Sequence, residues 1–306
     1  MKHIKILTDA LTQWSKLYRS FGDYSVTTLL KPPRMVQLER RHKQDVVREP
    51  EQQVSAFIGT GVHSLFEECL RLQSILDPRY EVERTVYDKI EDRLITGKFD
   101  ILWDGKHLYD VKTCKVWKKV FDPNMIEWHQ QLNIYAYLLK TRGCDISSIN
   151  IIAVYMDWQR QRSFRDDSGY PPEPIVEYEL KLWPHEVTDA FVRERINLMK
   201  NTEDIEDNAL PPCTNDEMWS RDSDTSYAVM AAPASPRALK VCASIQEARE
   251  YASQSKSVKP GISFIEIRRP ERKRCESWCD GKNFCNQYAE YASRKQGGEL
   301  REKVIL

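Results

Sequence analysis

Apolar and polar positions change period several times along the chain, and each change marks an element. From Ser25 to His42 (SVTTLLKPPRMVQLERRH) a helix start is broken at Pro32-Pro33 and followed by a basic helical stretch ending near Arg41, which reads as a surface lead-in. Between Gly59 and Leu76, residues Val62, Leu65, Phe66, Cys69, Leu70 and Leu72 recur at helical spacing with His63 beside them, and a helix is predicted. The period then shortens: YEVERTVYD, RLITGKFDILWD and KHLYDVKT are rich in β-branched and aromatic residues and are separated by acidic or Asp-Gly turns. They predict an antiparallel meander. Helical spacing returns between Pro123 and Lys140, and the near-continuous apolar run from Ile149 (INIIAVYMDW) suits a buried strand. A strand, IVEYELKLW, and a helix from Pro184 to Lys200 close the block, so that meander, crossover helix and buried strand predict an α/β sheet.

The pattern weakens in the polar stretch NTEDIEDNALPPCTNDEMWSRDSD, which reads as a linker or loop. Beyond it YAVMAA, SIQEAREYASQS and ISFIEIRR read as strand, helix and strand, and RKRCESWCDGKNFCNQYAEYASRK carries three cysteines and a short helix. The expected organisation is therefore a core over residues 1–205 with a helical lead-in, a linker over 206–224 carrying Cys213, a small α+β insertion over 225–268, and a Cys-rich segment over 269–306.

Composition narrows this further. The 306 residues are 41% apolar and 30% charged, the balance of a soluble globular protein, and no run approaches a membrane span. The opening MKHIKILTDALTQW is interrupted by His3, Lys5, Asp9 and Gln13, so no signal peptide and a cytoplasmic setting are expected. Lysine plus arginine equals aspartate plus glutamate at 46 each, so any nucleic-acid contact must rest on local patches. In a reducing compartment the eight cysteines are more suited to metal than to disulfides where they cluster.

The densest chemistry lies in GKFDILWDGKHLYDVKT. Asp100 ends one strand and Asp110-Val111-Lys112 lies on the next, and strand alternation puts Asp110 and Lys112 on one face with Val111 turned away. Two hard carboxylates suit Mg²⁺ or Mn²⁺, which can polarise a phosphate and lower the pKa of a bound water. Lys112 can then orient that water and offset charge on the phosphate. Just downstream, Lys115, Lys118 and Lys119 flank Trp117, with Trp128 and His129 on the next helix. Such a stretch either contacts single-stranded DNA through phosphates and bases or is a solvated loop.

Taken in order, His63, Glu83, Gly97 to Asp100, Asp110-Val111-Lys112-Thr113 and Gln131 to Tyr135 resemble the motifs of the PD-(D/E)XK nucleases, specifically their RecB-like branch. Phe99 stands where the superfamily name has proline, and Glu81 competes with Glu83 for the strand position. The resemblance implies a restriction-endonuclease-like core of mixed central sheet and flanking helices. It implies metal ligation by His63, Asp100, Asp110 and the Val111 carbonyl, and catalytic parts for Glu83, Lys112, Gln131 and Tyr135, the last two one helical turn apart and able to reach a substrate phosphate or Lys112.

Cys275, Cys279 and Cys285 form C-x3-C-x5-C, and Cys213 is the fourth thiol that could join them. The set resembles the iron–sulfur staple of AddB-type and CRISPR-associated RecB-like nucleases. That implies a [4Fe–4S] cluster, with Zn²⁺ as the alternative because the spacing and the order of Cys213 depart from the family. Cys69, Cys114, Cys144 and Cys242 are assigned no chemistry. The resemblance implies a DNase, with exonuclease action on linear or single-stranded DNA ahead of structure-specific endonuclease action or a non-catalytic DNA-binding module. Its setting would be phage or bacterial recombination, replication or DNA degradation, with DNA and a single-strand annealing or recombination protein as partners and the bacterial host cytoplasm as location.

Overall fold

In a computed structural model, the structure describes residues 21–46, 50–164, 169–220, 225–297 and 301–306. The described chain is mixed α/β and divides into two compact units, one of residues 21–31 and 50–201, the other of residues 32–46 and 202–306. No described helix is long and apolar enough to cross a membrane.

The first unit is built on two sheets. In the first, β1 (Tyr24–Ser25) runs parallel to β4 (Arg93–Lys98), which pairs antiparallel with β3 (Thr85–Ile90). The second has the order β2 (Tyr80–Val82), β5 (Ile101–Trp103), β6 (His107–Cys114), β7 (Ser148–Tyr155) and β8 (Ile175–Leu180), and only β6 and β7 are parallel. Their crossover contains the buried helix that follows β6. The short α1 (Val26–Leu29) buries Val26 and Leu29 and is capped by the Ser25 hydroxyl, which accepts from Thr28 N–H at 3.1 Å.

The expected three-run antiparallel meander is present, with β3–β4 and β2–β5 forming one long hairpin and β6 pairing onto β5, but it is folded across both sheets. Two of its runs each split in two, β2 from β3 at Glu83-Arg84 and β4 from β5 at Phe99-Asp100. Pairing does not lapse at the break, because Glu83 N–H donates to Asp100 O at 2.8 Å and Phe99 N–H to Arg84 O at 3.2 Å. The break is a kink, made by Glu83 at a φ of 54°, a left-handed backbone uncommon for a residue with a Cβ. At the β5–β6 turn Asp104 and Gly105 both take positive φ, as an Asp-Gly hairpin turn requires.

Helices cover the sheets. The helix predicted from Gly59 begins earlier, at Pro50, and as α3 in this numbering spans Pro50–Leu76, over β2 and β6. Its expected apolar stripe divides: Val62, Phe66 and Leu70 are half-buried, whereas Leu65, Cys69 and Leu72 are exposed on the face turned from the sheet. Between them in chain order, α2 (Pro33–Arg41) belongs to the second unit. The short α4 (Val116–Phe121) follows β6, and α5 (Ile126–Lys140) runs buried from Gln131 to Leu139. A four-residue turn, α6 (Arg160–Ser163), precedes β8, and α7 (His185–Lys200) buries Thr188, Val192, Ile196 and Met199.

The second unit departs most from expectation. Helix α2 is no surface lead-in, since Arg34, Met35, Val36, Gln37 and Leu38 are all buried within this unit. A four-stranded antiparallel sheet has the order β10 (Lys240–Cys242), β9 (Ser226–Met230), β11 (Phe264–Arg268), β12 (Arg301–Ile305), with α8 (Ile245–Gln254) packed on it. Val229, Cys242, Ala248, Ala252 and Ile265 form its core. The chain end was expected to belong to the Cys-rich segment, yet β12 joins the sheet of the strand-helix-strand unit, with Phe264 opposite Ile305 and Arg268 opposite Arg301. Burial of Val304 against that core is the physical reason. Between β11 and β12 lie the five-residue helix α9 (Lys273–Ser277) and α10 (Asn286–Gln296).

Candidate active site and cysteine centre

The hairpin kink gathers the acidic residues. Glu83 stands on one side of it and Asp100 on the other, while His63 reaches down from α3. One ligand atom from each of these three lies within 4.8 Å of the other two, and His63 Nδ1 is 3.6 Å from Asp100 Oδ2. Among the described residues no other His, Cys, Asp or Glu group meets that criterion. Glu81, the competing carboxylate, instead pairs with Arg84 at the surface. The Glu83 carboxylate is held in an ion pair by Lys98, a residue that the sequence reading passed over although it sits inside GKFD.

The β5–β6 register, Ile101 opposite Tyr109, brings Asp100 alongside Asp110 and Val111. Asp100 Oδ2 accepts from Val111 N–H at 2.7 Å, so what the structure shows at Val111 is its N–H, while the expected role lay with its carbonyl. Burial, and then the neighbouring Asp110 charge, push the Asp100 carboxyl up to about 8, against the pull of Lys112 and of the Val111 N–H.

Asp110 is 2% exposed, and Lys112 shares its face as strand alternation requires. Lys112 Nζ lies 2.6 Å from Asp110 Oδ2, an ion pair without hydrogen-bond alignment, and that buried oxygen accepts no hydrogen bond. From α5, Gln131 closes the arrangement: its Oε1 accepts from Lys112 Nζ at 3.1 Å, and its Nε2 donates to Asp110 Oδ1 at 3.3 Å and to the Tyr135 hydroxyl at 3.0 Å. Tyr135 is itself buried, its hydroxyl pushed upward by burial and by the Asp110 charge, and it touches Lys112 only through Gln131. Gly97 makes room for its ring, since a Cβ there would lie 2.5 Å from Tyr135 Cε1 and 2.9 Å from Val26 Cγ2.

This donor set fits a hard divalent cation. An imidazole and two carboxylates converge, a third carboxylate beside them keeps an oxygen without an aligned hydrogen bond, and the Asp110 and Glu83 charges add to burial in raising the proton affinity of Asp100. A cation would relieve both conditions.

The basic patch is less open than its sequence suggests. Trp117 is exposed, but Lys118 Nζ pairs with Asp122 at 2.9 Å and stands 5.4 Å from the Trp128 ring centroid. Lys119 donates to Pro123 O at 2.7 Å and lies 4.6 Å from the Tyr178 ring centroid, with burial lowering its pKa. Lys115 precedes α4 and is exposed. His129 is committed to Lys181 O at 2.5 Å.

In the second unit Cys213, Cys275, Cys279 and Cys285 are all half-buried and unbridged. Each of Cys213, Cys275 and Cys279 has its thiol pushed up by burial first, the first and third to about 12; charge on Cys275 and Cys285 adds to the rise at Cys213 and Cys279, and charge on Cys285 adds to it at Cys275. The four therefore share one locality, though no three sulfurs come within 4.8 Å of one another. Sequence reasoning missed Arg34, whose buried guanidinium donates from Nε to Cys285 Sγ at 3.2 Å and also reaches Leu210 O and Asn286 Oδ1. Gln287 clasps the Cys213 backbone by two 2.9 Å hydrogen bonds, tying the distant cysteine to the helix that follows Cys285. Gly281 lets the loop between Cys279 and Cys285 lie against α2, because a Cβ there would meet Leu38 Cβ at 2.8 Å. Of the other thiols, Cys242 is core, Cys114 is pushed up to about 11 by burial, and Cys69 is exposed.

No family model and no curated protein matches the chain. Among solved structures it is similar to the protein SSO0001, with 20% identity, a TM-score of 0.43, and 63% of this chain and 85% of that one covered. It is also similar to a phage related exonuclease from Haemophilus somnus 129PT, with 12% identity, a TM-score of 0.29, and 64% and 80% covered. At TM-scores below 0.5 neither likeness establishes a shared fold or activity.

Proposed function

We propose that the chain is a metal-dependent DNA nuclease with a PD-(D/E)XK-type site, acting as an exonuclease on linear or single-stranded DNA. The observation that supports it is the convergence of His63, Glu83 and Asp100 beside a buried Asp110–Lys112–Gln131 array, assembled from two helices, a strand and a hairpin kink. His63, Glu83, Asp100 and Asp110 would hold Mg²⁺ or Mn²⁺, which when bound supplies Lewis acidity toward a phosphate. Lys112 stands where it can orient the attacking water and offset charge on the phosphoryl oxygens. Gln131 holds that ammonium in place, and Tyr135 positions Gln131.

The four cysteines we assign to a [4Fe–4S] cluster. Arg34 Nε donates to Cys285 Sγ at 3.2 Å, a contact that a cluster thiolate would also accept. Holding Cys213 to the C-terminal segment would be the cluster's contribution.

The test is incubation with end-labelled linear DNA and closed circular DNA in Mg²⁺, Mn²⁺ or EDTA. Metal-dependent release of label from linear DNA, with circles intact, is expected. Intact linear DNA in both metals overturns the reading, and nicked circles replace exonuclease with endonuclease action.

A further inference from the structure

Lys98 ends β4 immediately beside the kink, half-exposed, with its ammonium in ion-pair contact with Glu83 Oε2. Glu83 is one of the three residues whose ligand atoms converge, so a cation of this chain already sits on the metal-binding carboxylate. Neither partner is casually placed. Glu83 is held by its left-handed backbone and by its N–H bond to Asp100 O, and Lys98 follows Gly97, which is wedged against Tyr135. A Lys ammonium and a divalent ion compete for the same carboxylate charge, and the lysine, on a flexible four-carbon stem, is the one able to leave.

We infer that Lys98 is a metal-gated phosphate contact: in the ion-free chain it holds Glu83, and when the His63, Glu83 and Asp100 ligands take up a divalent ion its ammonium is released to a DNA phosphate. This rests on the nuclease reading. It deepens that reading by ordering the two events, because the chain gains a phosphate contact only after the metal is in place. DNA binding and metal binding are then coupled through one side chain, in addition to any bridge the ion itself makes.

The experiment uses the full chain and Lys98→Met, with Lys98→Arg as a charge-conserving control. Calorimetric titration with Mn²⁺ alone is expected to show about tenfold tighter binding in Lys98→Met, since its competitor for Glu83 is gone. Binding of a labelled single-stranded oligonucleotide is then followed across a salt series in Ca²⁺, as a divalent ion expected not to support cleavage, and in EDTA. One added phosphate contact steepens the log–log salt slope by about 0.7. Ca²⁺ should therefore steepen the wild-type and Lys98→Arg slopes by about 0.7 more than that of Lys98→Met. Equal Mn²⁺ affinity in wild type and Lys98→Met, or an equal Ca²⁺ effect on both slopes, overturns the role of Lys98 and leaves the nuclease reading standing. A wild-type chain that binds no Mn²⁺ overturns both.

Discussion

In the N-terminal unit the ligands hang from paired strands and a helix, each tied by a hydrogen bond or ion pair to a neighbour that the fold itself supplies: Asp100 to Val111, Asp110 to Lys112 and Gln131, Glu83 to Lys98. In the C-terminal unit the thiols hang from a loop, a five-residue helix and a helix cap, and Cys213 stands 62 positions before Cys275. Their surroundings are tied across the chain by side chains: Arg34 to Cys285, Gln287 to the Cys213 backbone, Arg274 to Glu217 O and Asn286 to Asn208 O. On the proposed reading the contrast separates two uses of a metal. Sheet pairing pre-forms the carboxylate site, which would recruit an ion for chemistry, whereas a metal at the cysteine site would join segments far apart in the chain.

The sharpest break of that comparison is Lys112→Ala. It leaves His63, Glu83, Asp100 and Asp110 in place, so cleavage should fall by on the order of 10²–10⁴ while Mn²⁺ is still bound. Retention of wild-type cleavage would remove Lys112 from the chemistry. Next in size, Cys213→Ser should lower both bound iron and the melting temperature, by several degrees, with the Mn²⁺-dependent site intact, whereas Cys242→Ser should leave the iron content alone. If iron analysis and melting curves for Cys213→Ser match wild type, the cysteines are not a structural centre.

Smaller and more local is Gly97→Ala, where the new methyl forces Tyr135 or β4 to move. A cost of about 1–3 kcal/mol is expected in urea unfolding, with a loss of cleavage rate beyond what stability explains, because Gln131 shifts with Tyr135. Wild-type stability would show that Tyr135 packs loosely.

The most gradual effect is a pH slope. Asp100 is raised in the folded chain from an ordinary carboxyl value to about 8, so its contribution to stability is fully present below about pH 4 and is lost as pH rises through 8. In EDTA, wild type should therefore lose stability between pH 5 and pH 8 relative to Asp100→Asn, and Mn²⁺ affinity should rise over the same range as the proton leaves. Parallel stability profiles for the two proteins would place Asp100 in a more polar setting.

Much of the carboxylate site was legible because it is local. Asp110 and Lys112 share a strand face by alternation, and Gln131 and Tyr135 share a helix face by spacing. The split of the meander into two sheets was not, since it depends on a left-handed backbone at Glu83, where no glycine or asparagine signals it. Lys98 was hidden for the same reason, as its neighbour is set by that kink. Helix α2 reads as a surface element because Arg34 is charged, and only the thiol, carbonyl and amide oxygen that receive its guanidinium, more than 170 positions away, explain its burial. Strand β12 pairs with β11 across a separation of more than 30 residues, which no short-range pattern reveals.

The central claim is that His63, Glu83, Asp100 and Asp110 hold one catalytic divalent ion. Calorimetric titration of the apo chain with Mn²⁺ at pH 8 tests it most directly. The account predicts one ion per chain at this site, lost in Asp100→Ala and in Glu83→Gln and kept in Cys213→Ser. Undiminished binding in both carboxylate variants would contradict it.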